Sequence, residues 1–246
     1  MKKGINTFWY IDVKCHIQND TSITSSSPSE DVNDDAKPIL FAGPQVVDSS
    51  HIIIYPLIFE RTSSRSSFSS GSDSKITFWN LVFYNSDNNT QHLLSYNKKV
   101  IINSIHFCGS SSSSSNDDCI AQKGFNLYKN NILYDVTSTD FNHNDNLDDD
   151  DPNYLYVSDK QGNNFRQISP DNYNITSWEV LTGTSKIILQ GQKDSNGDRK
   201  FDNNDQVTPM LVDITSGKVA TEIFSRKYMD SLKRGKHPAN TITKRG

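Results

Sequence analysis

The sequence predicts an all-β protein built from antiparallel, blade-like repeats, and three observations lead to that reading. A strand–turn–strand pattern recurs three times, and an apolar strand precedes each copy. The aromatic complement of 12 Phe, 10 Tyr and 3 Trp favours sheet over helix. At 246 residues the chain suits one large β domain or two small ones. The hydrophobic fraction is 34% and mean hydropathy is -0.64, but the deficit is confined to Ser, Asn and Asp tracts. The segments between those tracts are apolar enough to pack, which predicts an ordered protein with long polar loops.

In chain order, residues 1–50 predict N-terminal strands, FWYIDV and PILFAGPQVV, around a Ser- and Asp-rich linker at 18–37. Residues 51–225 hold the three repeats. The first has HIIIYPLIFE at 51–60, the polar tract at 61–75, and the hairpin LVFYNSDNNTQHLLS at 81–95. Leu81, Phe83 and Leu94 take its apolar positions and Asn88 its turn, and VIINSIHF at 100–107 follows. The second pairs NILYDV at 131–136 with LYVSDKQGNNFRQIS at 155–169. There Leu155, Val157, Phe165 and Ile168 are the apolar set, and Gly162 supplies the positive φ of the turn. ITSWEVL at 175–181 comes next. The third joins KIILQG at 186–191 to MLVDITSGKVATEIFS at 210–225, with Met210, Val212, Gly217 and Ile223 in the matching places. Residues 226–246, with Lys227, Arg234, Lys236 and Lys244, read as a basic, solvated tail.

Strand, polar insertion, strand, tight turn, strand and link is the order of a four-stranded antiparallel blade. LYVSDKQGNNFRQISP, whose strand ends in an Asp-x-x-Gly turn and leads to Ser-Pro, resembles the WD40-like repeat of TolB-type β-propellers. The resemblance spans roughly residues 51–225. It implies a partial or small β-propeller-like assembly, since closed propellers have at least about four blades. FWYIDV and PILFAGPQVV either supply part of a fourth blade or leave the assembly open or completed by a partner. The resemblance also implies a role through protein–protein contacts in the cell envelope.

The sharpest chemical signal lies in the insertions of the second and third repeats. DFNHNDNLDDDD runs from Asp140 to Asp151 and DSNGDRKFDNND from Asp194 to Asp205, 54 residues apart. Calcium takes six to eight oxygens, and a twelve-residue loop wraps it with positions 1, 3, 5, 7, 9 and 12. In the first loop these are Asp140, Asn142, Asn144, the Asn146 carbonyl, Asp148 and Asp151. In the second they are Asp194, Asn196, Asp198, the Lys200 carbonyl, Asp202 and Asp205. Position 8, Leu147 or Phe201, is apolar and expected to anchor each loop to the sheet. The pattern resembles the loops of EF-hands and dockerins. It departs from them at position 6, where Asp145 and Arg199 replace glycine, and at position 12, where Asp replaces Glu. A single acidic turn is ordinary solvated surface. Two at one place in two repeats predict bound Ca2+.

Extracellular calcium modules bind at about 10⁻⁴–10⁻³ M and sensors at about 10⁻⁷–10⁻⁵ M, so weak sites suit the periplasm or cell exterior. The opening MKKGINTFWYIDVKCHI has the lysines of an export signal, but Asn6, Asp12 and Lys14 break its apolar stretch. Cys108 and Cys119 bracket GSSSSSSNDD and read either as a loop-closing disulfide, worth about 2–3 kcal/mol, or as two unpaired thiols at strand ends. Net charge of -4 gives no case for nucleic acid, and no run reaches the ~20 apolar residues of a membrane span. Phosphate-binding glycine motifs, Gly-x-Ser-x-Gly and His-Glu-x-x-His are absent. The expectation is therefore a non-catalytic, calcium-stabilised binding protein. An envelope hydrolase and a purely structural accessory domain are the alternatives.

Overall fold

The computed structural model describes residues 38–47, 50–59, 76–107 and 125–235. FWYIDV, the linker at 18–37, the tract at 61–75, Cys108, Cys119 and the last eleven residues, 236–246, lie outside that set.

The chain is all-β, with blade-like antiparallel strands. β1 (Leu40–Phe41) and β2 (Gln45–Val46) both pair with β3 (Ile52–Ile58). β3 pairs with β4 (Phe78–Asn85), and β4 with β5 (Thr90–Leu93). A second unit runs β6 (Ile101–His106), β7 (Asn131–Thr137), β8 (Asn153–Asp159) and β9 (Arg166–Gln167). A third runs β10 (Asn174–Val180), β11 (Lys186–Lys193), β12 (Gln206–Asp213) and β13 (Thr221–Glu222). One residue pair, Phe78 with Ile102, links the first unit to the second, while the third is a separate sheet. Among the described strands both sheets are open-ended.

The fourth strand of each repeat therefore opens the next unit: β6 pairs with β7 and β10 with β11. PILFAGPQVV forms no fourth unit, because both of its strands lie along β3.

The second unit is buried on both faces, and the side-chain alternation of a strand explains how. Ile132, Tyr134 and Val136 on β7, with Tyr154 and Tyr156 on β8, pack against Ile54, Leu81 and Phe83 of the first unit. The intervening Leu133, Leu155 and Val157 pack against Ile187, Leu189, Met210 and Val212 of the third. That two-sided burial is why NILYDV reads as a near-continuous apolar run.

The return strands repeat in register for two units. Leu94 N–H donates to the Leu81 carbonyl, and Ile168 N–H to that of Leu155, both at 2.9 Å. In the third unit Ile223 N–H reaches Pro209 instead, one residue out of step, and Ile223 is exposed rather than in the core. Gly162 and Gly217 have φ of 82° and 69°, as the turns require. In the first hairpin the left-handed residue is Asn89, with φ of 56°, not Asn88. Asn88 Oδ1 accepts from the Thr90 N–H and hydroxyl, which spends that side chain on bracing the turn.

Two α-helices, α1 (Phe125–Tyr128) and α2 (Arg226–Gly235), and a 3₁₀ turn at Ile214–Ser216 complete the described chain. Residues read as a solvated tail thus form a ten-residue helix. The Ser225 hydroxyl accepts from Tyr228 N–H at its start, and Lys233 and Arg234 complement the carbonyl end. No helix among the described residues is long and apolar enough to cross a membrane.

Candidate metal centre

The acidic loops occupy equivalent places, one between β7 and β8 and the other between β11 and β12. Around the first, Asn103 on β6 donates to Thr137 and to Asn153, each at 3.1 Å, tying the strands that launch and receive it. Under the second, Gln192 donates to the Asp202 carbonyl.

The two loops share most of one internal hydrogen-bond scheme, differing in the first N–H that meets the opening carboxylate, position 5 in one and position 4 in the other. Asp140 accepts from the N–H groups of Asn144 and Asp145, and Asp194 from those of Gly197 and Arg199. Asn142 accepts from Asn144 N–H, as Asn196 does from Asp198 N–H. Asn144 accepts from Asn146 N–H, as Asp198 does from Lys200 N–H. Asp148 accepts from Asp150 N–H, and Asp202 from Asn204 N–H. The last carboxylate closes each loop. Asp151 spans Phe141 N–H at 2.8 Å and Asp148 N–H at 3.2 Å, and Asp205 spans Ser195 and Asp202 at the same two distances.

Backbone geometry repeats as well. Position 4 is left-handed in both loops, His143 at φ 61° and Gly197 at 77°. Position 6 is too, with Asp145 at 66° and Arg199 at 62°. The sharp turn that glycine normally makes at position 6 is thus present without glycine.

The closing carboxylates Asp151 and Asp205 are buried, whereas Asp140, Asp148, Asp194 and Asp202 are intermediate or exposed. Asp205 is held below the usual carboxylate range, chiefly by the Ser195 N–H, with further help from Asp202 N–H and the Ser195 hydroxyl. Among the described residues no group of three or more His, Cys, Asp or Glu side chains converges as a metal-binding set. The oxygens instead accept N–H groups, and Asn144 bonds Asp148 while Asn196 bonds Asp198. The donor set itself is one of hard oxygens. A carboxylate oxygen that accepts one N–H keeps capacity for a second partner, so the set fits a hard cation.

Phe201 meets Phe141 of the other loop, centroids 4.9 Å apart. That contact between loops has no signature in either motif.

A second polar cluster escaped sequence reasoning. The Asp135 carboxylate on β7 accepts from the Ser104 hydroxyl, from His106 Nε2 at 2.9 Å and from Trp178 Nε1 at 2.9 Å. His106 also sits edge-on to Trp178, centroids 4.8 Å apart. Ser104 and Asp135 both contact the same ring nitrogen, so the imidazole is not relayed between them as in a Ser-His-Asp triad. The cluster instead ties β6 and β7 of the second unit to β10 of the third. The alternation Ser104–His106 on one strand face was its only signal in the sequence.

A groove of about 620 Å³ separates the first hairpin from the second, lined by Tyr96, Lys98, Tyr156, Phe165, Arg166 and Gln167 among others. Lys98 Nζ donates to the Tyr156 hydroxyl at 3.0 Å, and Phe165 stacks on Tyr156.

No protein-family model, curated protein or solved structure matches this chain.

Proposed function

We propose that this is a non-catalytic β-repeat protein of the cell envelope, stabilised by calcium in two loops and acting through binding. The observation that carries the reading is the backbone scheme the two loops largely share, from the position 6 N–H on the first carboxylate to the left-handed residues at positions 4 and 6. Asp140, Asn142, Asn144, the Asn146 carbonyl, Asp148 and Asp151 would hold one ion. Asp194, Asn196, Asp198, the Lys200 carbonyl, Asp202 and Asp205 would hold the other. Calcium there neutralises clustered carboxylates and couples ion binding to folding. Weak affinity of that kind suits the periplasm or cell exterior. The packing of three consecutive antiparallel units, the second and third of four strands each, supports the resemblance to TolB-type propeller repeats. The aromatic and cationic groove supports the binding role.

The test is thermal unfolding of EDTA-stripped protein with and without calcium, beside the Asp140→Ala plus Asp194→Ala variant. At about 1 mM calcium and a Kd of about 10⁻⁴ M, each occupied loop adds about 1.4 kcal/mol. The expected result is a rise in midpoint that the variant lacks. An unchanged midpoint in the unaltered protein at millimolar calcium rejects the reading.

A further inference from the structure

We infer that α2 is an amphipathic anchor that lays the protein on an anionic lipid surface. Arg226, Lys227, Lys233 and Arg234 against the single Asp230 give this helix a strongly cationic face, in a chain whose net charge is -4. At 100° per residue these side chains share one side, while Tyr228, Met229 and Leu232 share the other. Phe224 extends the apolar stripe by one turn, its ring 5.3 Å from that of Tyr228.

Among the described residues the stripe joins neither core cluster, and Met229 is its one half-buried side chain. No residue of α2 is buried, and Phe224, Tyr228 and Leu232 are 38%, 49% and 45% exposed. The helix touches the third unit through Lys233 Nζ on Gln206, at 3.2 Å. Isolated helices shorter than ~12–15 residues are marginal in water, so ten residues with a bare apolar face gain from a covering surface.

The covering must accept apolar side chains and cations side by side. A headgroup–acyl boundary does both: the stripe enters the acyl edge and the Lys and Arg side chains meet anionic headgroups. The acidic loops of a second copy would satisfy the cations only, because they offer polar atoms to the stripe.

Flotation of the full chain with vesicles tests this. One set is phosphatidylcholine alone, and in the other about a third of the lipid is phosphatidylglycerol. Binding to the anionic set alone is expected, with release in about 0.5 M NaCl as screening sets in. Lys233→Gln with Arg234→Gln should weaken it by about 25-fold, near fivefold per charge. Leu232→Glu should abolish it, while far-UV circular dichroism and the unfolding midpoint stay unchanged because the side chain is exposed. Absence of flotation overturns the inference, as does equal binding to neutral vesicles. So does unaltered binding by Leu232→Glu, or a lipid-free dimer that Leu232→Glu dissolves, which would make a second copy the covering.

Discussion

Phe141 and Phe201 meet with ring centroids 4.9 Å apart and planes tilted by 35°, so the two acidic loops touch through one aromatic pair. Phe141 also donates its N–H to Asp151, the carboxylate that closes the first loop. The residue that makes the contact between loops is therefore held by the bond that shapes its own loop. A distortion of either loop is expected to reach the other through this pair. A double-mutant cycle with Phe141→Leu and Phe201→Leu, measured by urea unfolding, should return a coupling of about 0.5–1.5 kcal/mol. Strict additivity would mean that the two loops are independent.

Gly162 is expected to resist substitution for two reasons at once. Its φ of 82° is left-handed, and a β-carbon there would stand 2.6 Å from the Phe83 ring of the first unit. The backbone term costs an L-residue about 1–2 kcal/mol, and crowding a buried ring adds about 1–3 kcal/mol. Gly162→Ala should therefore lower stability by roughly 2–5 kcal/mol in chemical denaturation. Gly183, also left-handed at 71°, has open space at its β-carbon, so Gly183→Ala isolates the backbone term. Equal losses at the two sites would show that Phe83 contributes nothing.

Much of the strand pattern was legible because apolar runs bounded by turn residues carry period and length together. NILYDV and KIILQG became β7 and β11. Pairing was less legible. ITSWEVL follows the second hairpin in sequence, yet β10 pairs with β11, and nothing local to Ile175 or Trp178 encodes which neighbour it takes. The loops were legible as motifs because oxygen side chains at alternate positions also serve the loop backbone. The aromatic contact at Phe141 and the Asp135 cluster were not, since both join residues distant in sequence. α2 was masked by its charge: six of its ten residues are polar or charged outside the stripe, and the pattern read as tail.

Position 6 of each loop offers a gain in stability. Asp145 and Arg199 hold φ of 66° and 62°, a conformation that glycine adopts without steric cost. Asp145→Gly and Arg199→Gly should each stabilise the protein by about 0.5–1 kcal/mol, the relief of left-handed strain less the added freedom of the unfolded chain. Lys200→Gly, at a neighbouring residue outside the left-handed set, should cost a similar amount. Urea midpoints moving in the same direction at positions 199 and 200 would contradict this account of the turn.

Acid should weaken the fold in part through Asp135. Burial works against its carboxylate, but bonds from His106, Ser104 and Trp178 more than offset this and hold it at about 2, against an ordinary 3.8. A folded-state value below the unfolded one means that the stabilisation is complete above 3.8 and disappears as pH falls through about 2. Over that window the shift corresponds to roughly 2 kcal/mol. Trp178→Phe removes one donor and keeps a ring beside His106, so at neutral pH it should cost about 1.5–3 kcal/mol, the range for a bond to a charged group. The deficit should shrink once Asp135 is protonated, because a neutral carboxyl loses less when a donor is withdrawn. Urea unfolding of both proteins at neutral pH and near pH 2–3 separates the contributions. A deficit that stays constant with pH would assign the loss to packing of the indole between β7 and β10, and would remove Trp178 from the electrostatics of Asp135.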